Sequence, residues 1–110
     1  PGSRRACSSP RGPAVTAPAL PALAPGERRL TLIRHAKSSW AEPGLRDFDR
    51  PLNERGERDA PRIGRYLADL GFRPTLFLTS PALRARRTAQ VVAREIGYPA
   101  EFLQREPDLY

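Results

Sequence analysis

The sequence has no methionine and only one cysteine, one histidine, one lysine and one tryptophan in 110 residues. Each scarcity excludes something. A lone Cys7 can form neither an intrachain disulfide nor a cysteine metal site, so the chain suits a reducing compartment and a cytoplasmic location is expected. With His35 the sole histidine and no acidic cluster at ligand spacing, no metal and no cofactor is expected. No apolar run approaches the ~18 residues a membrane span requires, and the most apolar stretch, residues 14–24, is interrupted by Pro18 and Pro21. A membrane partner is therefore not expected. Neither is nucleic acid, because aromatic residues make up 7% of the chain and no recognised binding motif is present.

What the sequence does have in excess is proline and arginine. Its 13 prolines are more than twice the ordinary frequency of roughly 5%. Six of them lie in the first 26 residues, beside glycine, alanine and serine and without one acidic residue. The composition predicts a disordered tail over residues 1–28 followed by one domain over 29–110. The tail has the look of an extended start. It also carries Arg4, Arg5 and Arg11; without them 16 basic residues stand against 12 acidic ones, a balance of +4. Such a balance suits an anionic substrate or a solvated helix surface equally. All basic residues except Lys37 are arginine, the side chain that grips phosphate bidentately where several converge.

Hydrophobic pattern supplies the order of elements. Arg29-Leu30-Thr31-Leu32-Ile33 reads as a buried strand, and a polar stretch with a Pro43-Gly44 turn reads as a long loop. A helix is predicted over residues 53–70, with Asn53 as N-cap, Glu54 and Glu57 favourable to its dipole, and Gly71 as its stop. Pro61 must either kink that helix or start its regular part. A second strand is predicted over 75–79, parallel to and beside 30–33. A second helix follows over 80–96, with Ser80 as N-cap and Pro81 in its first turn, and a third short strand is placed at 100–103. The alternation predicts an α/β fold, three αβα layers about a mostly parallel sheet. In such sheets ligands bind beyond the carboxyl ends of the strands, where both Arg34-His35 and the segment starting at Ser80 fall.

A lone histidine is more often a surface or packing residue than a catalyst. His35 has a better context, at the end of an apolar run and followed by the small or polar residues Ala36, Lys37, Ser38 and Ser39. In its neutral form an imidazole offers one ring nitrogen as a nucleophile toward phosphorus.

Three segments then agree in order and spacing with a known family. Arg34-His35-Ala36-Lys37-Ser38-Ser39-Trp40, the segment from Asp47 to Gly56 with Asp49-Arg50-Pro51-Leu52-Asn53-Glu54 at its centre, and Thr79-Ser80-Pro81-Ala82-Leu83-Arg84-Ala85-Arg86-Arg87-Thr88-Ala89 resemble the histidine phosphatase superfamily in its phosphohistidine phosphatase branch. The resemblance runs from Leu30 to Tyr110 and implies a phosphoglycerate mutase-like fold and a metal-independent phosphatase. Its substrate would be a phosphorylated small molecule or a phosphohistidine protein. It also implies roles. His35 would be the catalytic nucleophile and become a phosphohistidine. Arg34 and Arg84 would clamp the equatorial oxygens, and Arg84 would gain from the helix N-terminus beside it. Arg50 would reach over the phosphate, or else pair with Asp47 or Asp49. Lys37 and Ser38 would line the substrate-binding mouth, with Trp40 either beside them or anchoring the loop.

Two departures accompany the match. Ala41 stands where the related mutase branch often has asparagine, which argues against mutase-like contacts. No histidine follows His35, although the family completes its pocket with a second one downstream, and Glu106 and Asp108 offer no motif that selects a general acid. The expectation is a truncated domain, and with it a second possibility, a catalytically inactive phosphate-binding or regulatory fragment.

Overall fold

The computed structural model describes residues 19–110. Two helices dominate it: α1 over Glu54–Asp69 and α2 over Leu83–Ile96. Between them lies strand β1, Leu78–Thr79, and after α2 comes β2, Gln104–Arg105, which pairs parallel with β1 in the register Leu78 to Gln104 and Thr79 to Arg105. Short 3-10 turns occupy Asp47–Asp49, Ala100–Phe102 and Pro107–Leu109. The result is an α/β fold with a small parallel sheet flanked by helices.

The start of α1 is the one its sequence predicts. Asn53 is the N-cap, its side-chain oxygen accepting the Gly56 N–H at 2.8 Å, and Glu54 and Glu57 occupy the first turn. Pro61 neither starts nor ends the helix, which runs unbroken on both sides of it. The buried residues of α1 are small and four apart, Gly56, Ala60 and Gly64. Gly64 lets α1 approach α2 closely, since a Cβ there would stand 2.7 Å from Glu95 Cβ and 3.3 Å from Val92 Cα. Gly71 and Gly97 end the two helices with φ of +78° and +79°, the left-handed region that glycine adopts without strain.

Helix α2 begins later than predicted. Its N-cap is Ala82, not Ser80, and the Ser80 hydroxyl accepts the Ala82 N–H at 3.2 Å in a turn ahead of the helix. Arg84 is therefore the second helical residue rather than the fourth or fifth. The core below the helices is Phe72, Val92 and Ile96, with Leu20, Ile33, Leu67, Phe77 and Tyr98 packed against it.

Two strand expectations are corrected. Residues 30–33 form no strand: Leu30 and Leu32 are 84% and 85% exposed and only Ile33 reaches the core. The parallel neighbour of β1 is β2 instead. The reason is cover, because a strand apolar on both faces needs a layer on each, and α1 and α2 pack chiefly against one another. Leu76 and Leu78 are exposed as well. The third strand, expected at 100–103, lies at Gln104–Arg105, after a 3-10 turn that follows Pro99.

Of the tail predicted over 1–28, residues 1–18 lie outside the described residues. Residues 19–28 contain no helix or strand, yet they are tied down: the Leu20 N–H donates to Leu70 O at 2.9 Å and its side chain joins the core. Among the described residues no helix is long and apolar enough to cross a membrane.

Candidate active site

The chain following Ile33 is held by its own backbone against the approach to α1. Ser39 N–H donates to Pro51 O at 2.8 Å, Asn53 N–H donates to Lys37 O at 2.9 Å, and Ser38 and Leu52 form an antiparallel bridge between these bonds. Gly56 makes this possible. A Cβ there would run into the Lys37 carbonyl oxygen and stand 3.1 Å from Leu52 Cβ.

Gly56→Ala is accordingly expected to destabilise the protein although it adds a better helix former. The propensity gain is about 1 kcal/mol. Overpacking against backbone that cannot rotate aside costs about 1–3 kcal/mol. A denaturant midpoint lowered in the variant, with a displaced His35 proton resonance, is the expected outcome; a midpoint raised by the propensity gain would contradict it.

Residues 34–38 so held, Trp40, Asp47, Arg55, Asp59 and Arg84 line one cavity of about 540 Å³. Five residues singled out in the sequence, Arg34, His35, Lys37, Ser38 and Arg84, thus meet at one place, and Trp40 is with them. A smaller, more apolar space of about 340 Å³ adjoins it, shares Arg34, His35, Ala36 and Asp59, and is completed by Ala60, Arg62, Ile63 and Thr88. His35 stands where the two meet.

The ring of His35 is oriented. Its Nδ1 lies 2.8 Å from the carbonyl oxygen of Ala36. A carbonyl only accepts, so Nδ1 carries the proton and Nε2 carries the lone pair when the ring is neutral. Ala36 is fixed in turn, its N–H donating to the Thr88 hydroxyl at 3.1 Å, and that hydroxyl donates to the Arg84 carbonyl at 2.8 Å.

Arg84 reaches back across the cavity to the turn at Asp47. Its Nη1 donates to Asp47 O at 2.7 Å and its Nη2 to Asp47 Oδ2 at 3.0 Å, while the Tyr110 hydroxyl donates to the same carboxylate oxygen at 2.9 Å. The arginine side chain is only 17% exposed. The Tyr110 hydrogen bond, and after it that of Arg84, holds the Asp47 carboxyl below the usual carboxylate range, and the same bond pushes the Tyr110 phenol up. The Arg84–Asp47 pair is thus intact at neutral pH and is lost only as pH falls through the lowered Asp47 value. Asp59, the other carboxylate of the cavity, faces Arg55 at 3.4 Å and Arg62 at 3.6 Å. Arg34, Lys37, Arg55 and Arg84 outnumber Asp47 and Asp59, which leaves the cavity net positive.

Arg50 is the predicted site residue that the structure does not bring to either cavity. It is 5% exposed, and its guanidinium donates to the carbonyls of Glu42, Pro43 and Leu45 at 3.2, 3.3 and 3.1 Å, with a longer contact of 3.5 Å to Ser39 O. It also lies over the Trp40 ring, 3.9 Å from its centroid. Its guanidinium thus gathers its own loop, while of the carboxylates weighed as its partners Asp47 pairs with Arg84 and Asp49 with Arg46. Glu106 caps the final 3-10 turn, and neither it nor Asp108 lines either of these two cavities. Among the described residues no three His, Cys, Asp or Glu side chains are grouped to hold a metal ion.

Thr88, Asp47, Arg55 and Asp59 were not identified as site residues from sequence. A signal for Thr88 existed, a β-branched hydroxyl one turn after Arg84 on the helix face that carries Ala85, Val91 and Val92.

The model of the histidine phosphatase superfamily (branch 1) matches residues 30–107. An uncharacterized chloroplastic protein of Arabidopsis thaliana is 46% identical over 69 residues, 63% of this chain and 32% of that protein. The 2,3-bisphosphoglycerate-dependent phosphoglycerate mutase of Thermobifida fusca is 43% identical over 70 residues, 62% of this chain and 28% of the mutase. Among solved structures, an Agrobacterium tumefaciens protein described as a phosphohistidine phosphatase SixA superposes with a TM-score of 0.64 at 42% identity, covering 71% of this chain and 49% of that one. The protein histidine phosphatase SixA in complex with tungstate gives 0.63 at 25% identity, over 70% of this chain and 47% of that one. The chain thus spans about half of these structures and about a third of the two curated relatives.

Proposed function

Since the chain belongs to the histidine phosphatase superfamily (branch 1), within its SixA-like branch, we propose that it carries the nucleophile-bearing part of a phosphatase acting on phosphohistidine or a small phosphomonoester. The observation that carries this reading is the hydrogen bond from His35 Nδ1 to Ala36 O. It leaves Nε2 as the basic ring atom of a residue lining a cavity shared with Arg34 and Arg84.

In the first step Nε2 forms a bond to phosphorus while the bond from phosphorus to the leaving nitrogen or oxygen breaks, and the leaving atom takes up a proton. In the second, water attacks the phosphohistidine, its oxygen bonds to phosphorus and gives up a proton to solvent, the P–N bond breaks, and inorganic phosphate leaves with His35 regenerated. Arg34 and Arg84 hold the equatorial oxygens through both displacements, where a loose transition state needs positioning and positive charge rather than covalent help. Lys37 and Ser38 line the mouth, and Arg50 contributes by fixing the loop that carries Trp40. A resident metal has no part in these steps. The partners that fit this reading are phosphorylated small molecules or phosphohistidine proteins, and the single cysteine is what supports a reducing, cytoplasmic location.

A specific observation favours the second reading, an anion-binding fragment without turnover: Arg84 is already engaged by Asp47, so a phosphate must displace a carboxylate to use it. Potassium phosphoramidate, which has the P–N bond of phosphohistidine, separates the two. The phosphatase reading expects an acid-labile, base-stable phosphate on the protein, approaching one per chain, without added metal. Phosphate binding with no covalent label would leave the anion-binding reading.

A further inference from the structure

We propose that Thr88 is a positioning residue that sets the ring of His35 in register with Arg84, so that nucleophile and clamp are held as one unit. The inference rests on the reading of His35 as the reacting imidazole and adds to it a residue that acts through Ala36 and Arg84.

The geometry assigns every proton in the chain of bonds. The Arg84 carbonyl only accepts, so the Thr88 hydroxyl gives its one proton there, at 2.8 Å. Its lone pair is then left for the Ala36 N–H at 3.1 Å. Ala36 is thereby fixed at its N–H, and its carbonyl, 2.8 Å from Nδ1, fixes the His35 tautomer. The bond to Arg84 alone would mean little, because a helical threonine often bonds the carbonyl four residues back. The bond to Ala36 is not local: it joins residues 52 apart in sequence, from a residue only 5% exposed. Thr88 is also the one residue of α2 that lines the smaller cavity beside His35.

Thr88→Val keeps the shape and removes both bonds, whereas Thr88→Ser keeps the hydroxyl. Because His35 is the only histidine, a chain labelled with ring-15N histidine reports two ring nitrogens and nothing else, and their shifts give the tautomer directly. In the wild type the neutral ring should be protonated at Nδ1. In Thr88→Val the population should move toward the Nε2-protonated form, and labelling by phosphoramidate should slow by about tenfold to a hundredfold, the range that a small misplacement of reacting groups produces. Thr88→Ser should restore most of both. If Thr88→Val does not fold, Thr88→Ala and Thr88→Ser form the comparison, since they differ only in the hydroxyl. An unchanged tautomer in the variant that lacks the hydroxyl, or a serine variant no better than it, would overturn the proposal. A tautomer change in a protein that takes no label even as wild type would support the positioning role and refute the phosphatase reading, so the two fail separately.

Discussion

His35→Ala is expected to remove the acid-labile protein phosphate altogether and to lower any phosphoryl transfer by on the order of a thousandfold or more, because in the mechanism we propose both displacements pass through its Nε2. No other imidazole in the chain can substitute, which makes the result unambiguous. The fold should survive. The His35 side chain is only half-buried and, among the described residues, its one hydrogen bond is to the next residue, so the denaturation midpoint should stay near that of the wild type. A phosphorylated His35→Ala protein would place the nucleophile elsewhere.

Arg84→Ala is expected to weaken the binding of inorganic phosphate about a hundredfold, roughly 3 kcal/mol, the usual cost of removing one charged donor from a desolvated oxyanion site. Arg84→Lys should recover only part of it, since a lysine supplies the charge without the planar fork. Asp47→Asn sharpens the test in the opposite direction. Asp47 competes with phosphate for the same guanidinium, so neutralising it should tighten phosphate binding at pH 7. The wild type should approach the Asn variant only in acid, as pH falls through the lowered Asp47 value, because there the carboxylate is protonated and releases Arg84. Equal affinity in wild type, Arg84→Ala and Asp47→Asn, measured by calorimetry, would show that phosphate never meets this arginine.

The helices were legible in the sequence because their signals are local. Asn53 caps α1, Gly71 and Gly97 stop the two helices, and the apolar spacing between them needs no knowledge of the rest of the chain. The strand expected at residues 30–33 failed for the converse reason. A strand exists only if a partner and covering layers are present, and no feature of Leu30-Thr31-Leu32-Ile33 says which edge of which sheet is available. The same dependence on partners displaced the third strand to Gln104–Arg105. Pro61 was ambiguous in sequence; the helix continues through it, with Gly56, Ala60 and Gly64 as its buried stripe and Gly64 close against α2.

The site divides in the same way. His35 and its neighbours could be named from a short segment, and Arg84 from another, because each sits in a run whose residue types suit an anion. Arg50 could not be placed, since nothing in Asp49-Arg50-Pro51 distinguishes a guanidinium facing phosphate from one gathering the carbonyls of its own loop. Thr88 and Asp47 escaped because their importance is relational. Each acts on Arg84, one through its carbonyl and one through its guanidinium, and the second of these contacts spans 37 residues.

The claim on which the rest depends is that His35 and Arg84 hold the same anion. A titration with inorganic phosphate, followed through the single His35 Cε1 proton resonance of the wild-type chain and of Arg84→Ala, tests it most directly. The account predicts a saturable shift in the wild type, with an apparent Kd about a hundredfold weaker in the variant. A His35 resonance that stays unmoved while phosphate binds, or one that shifts with the same Kd in both proteins, would contradict it.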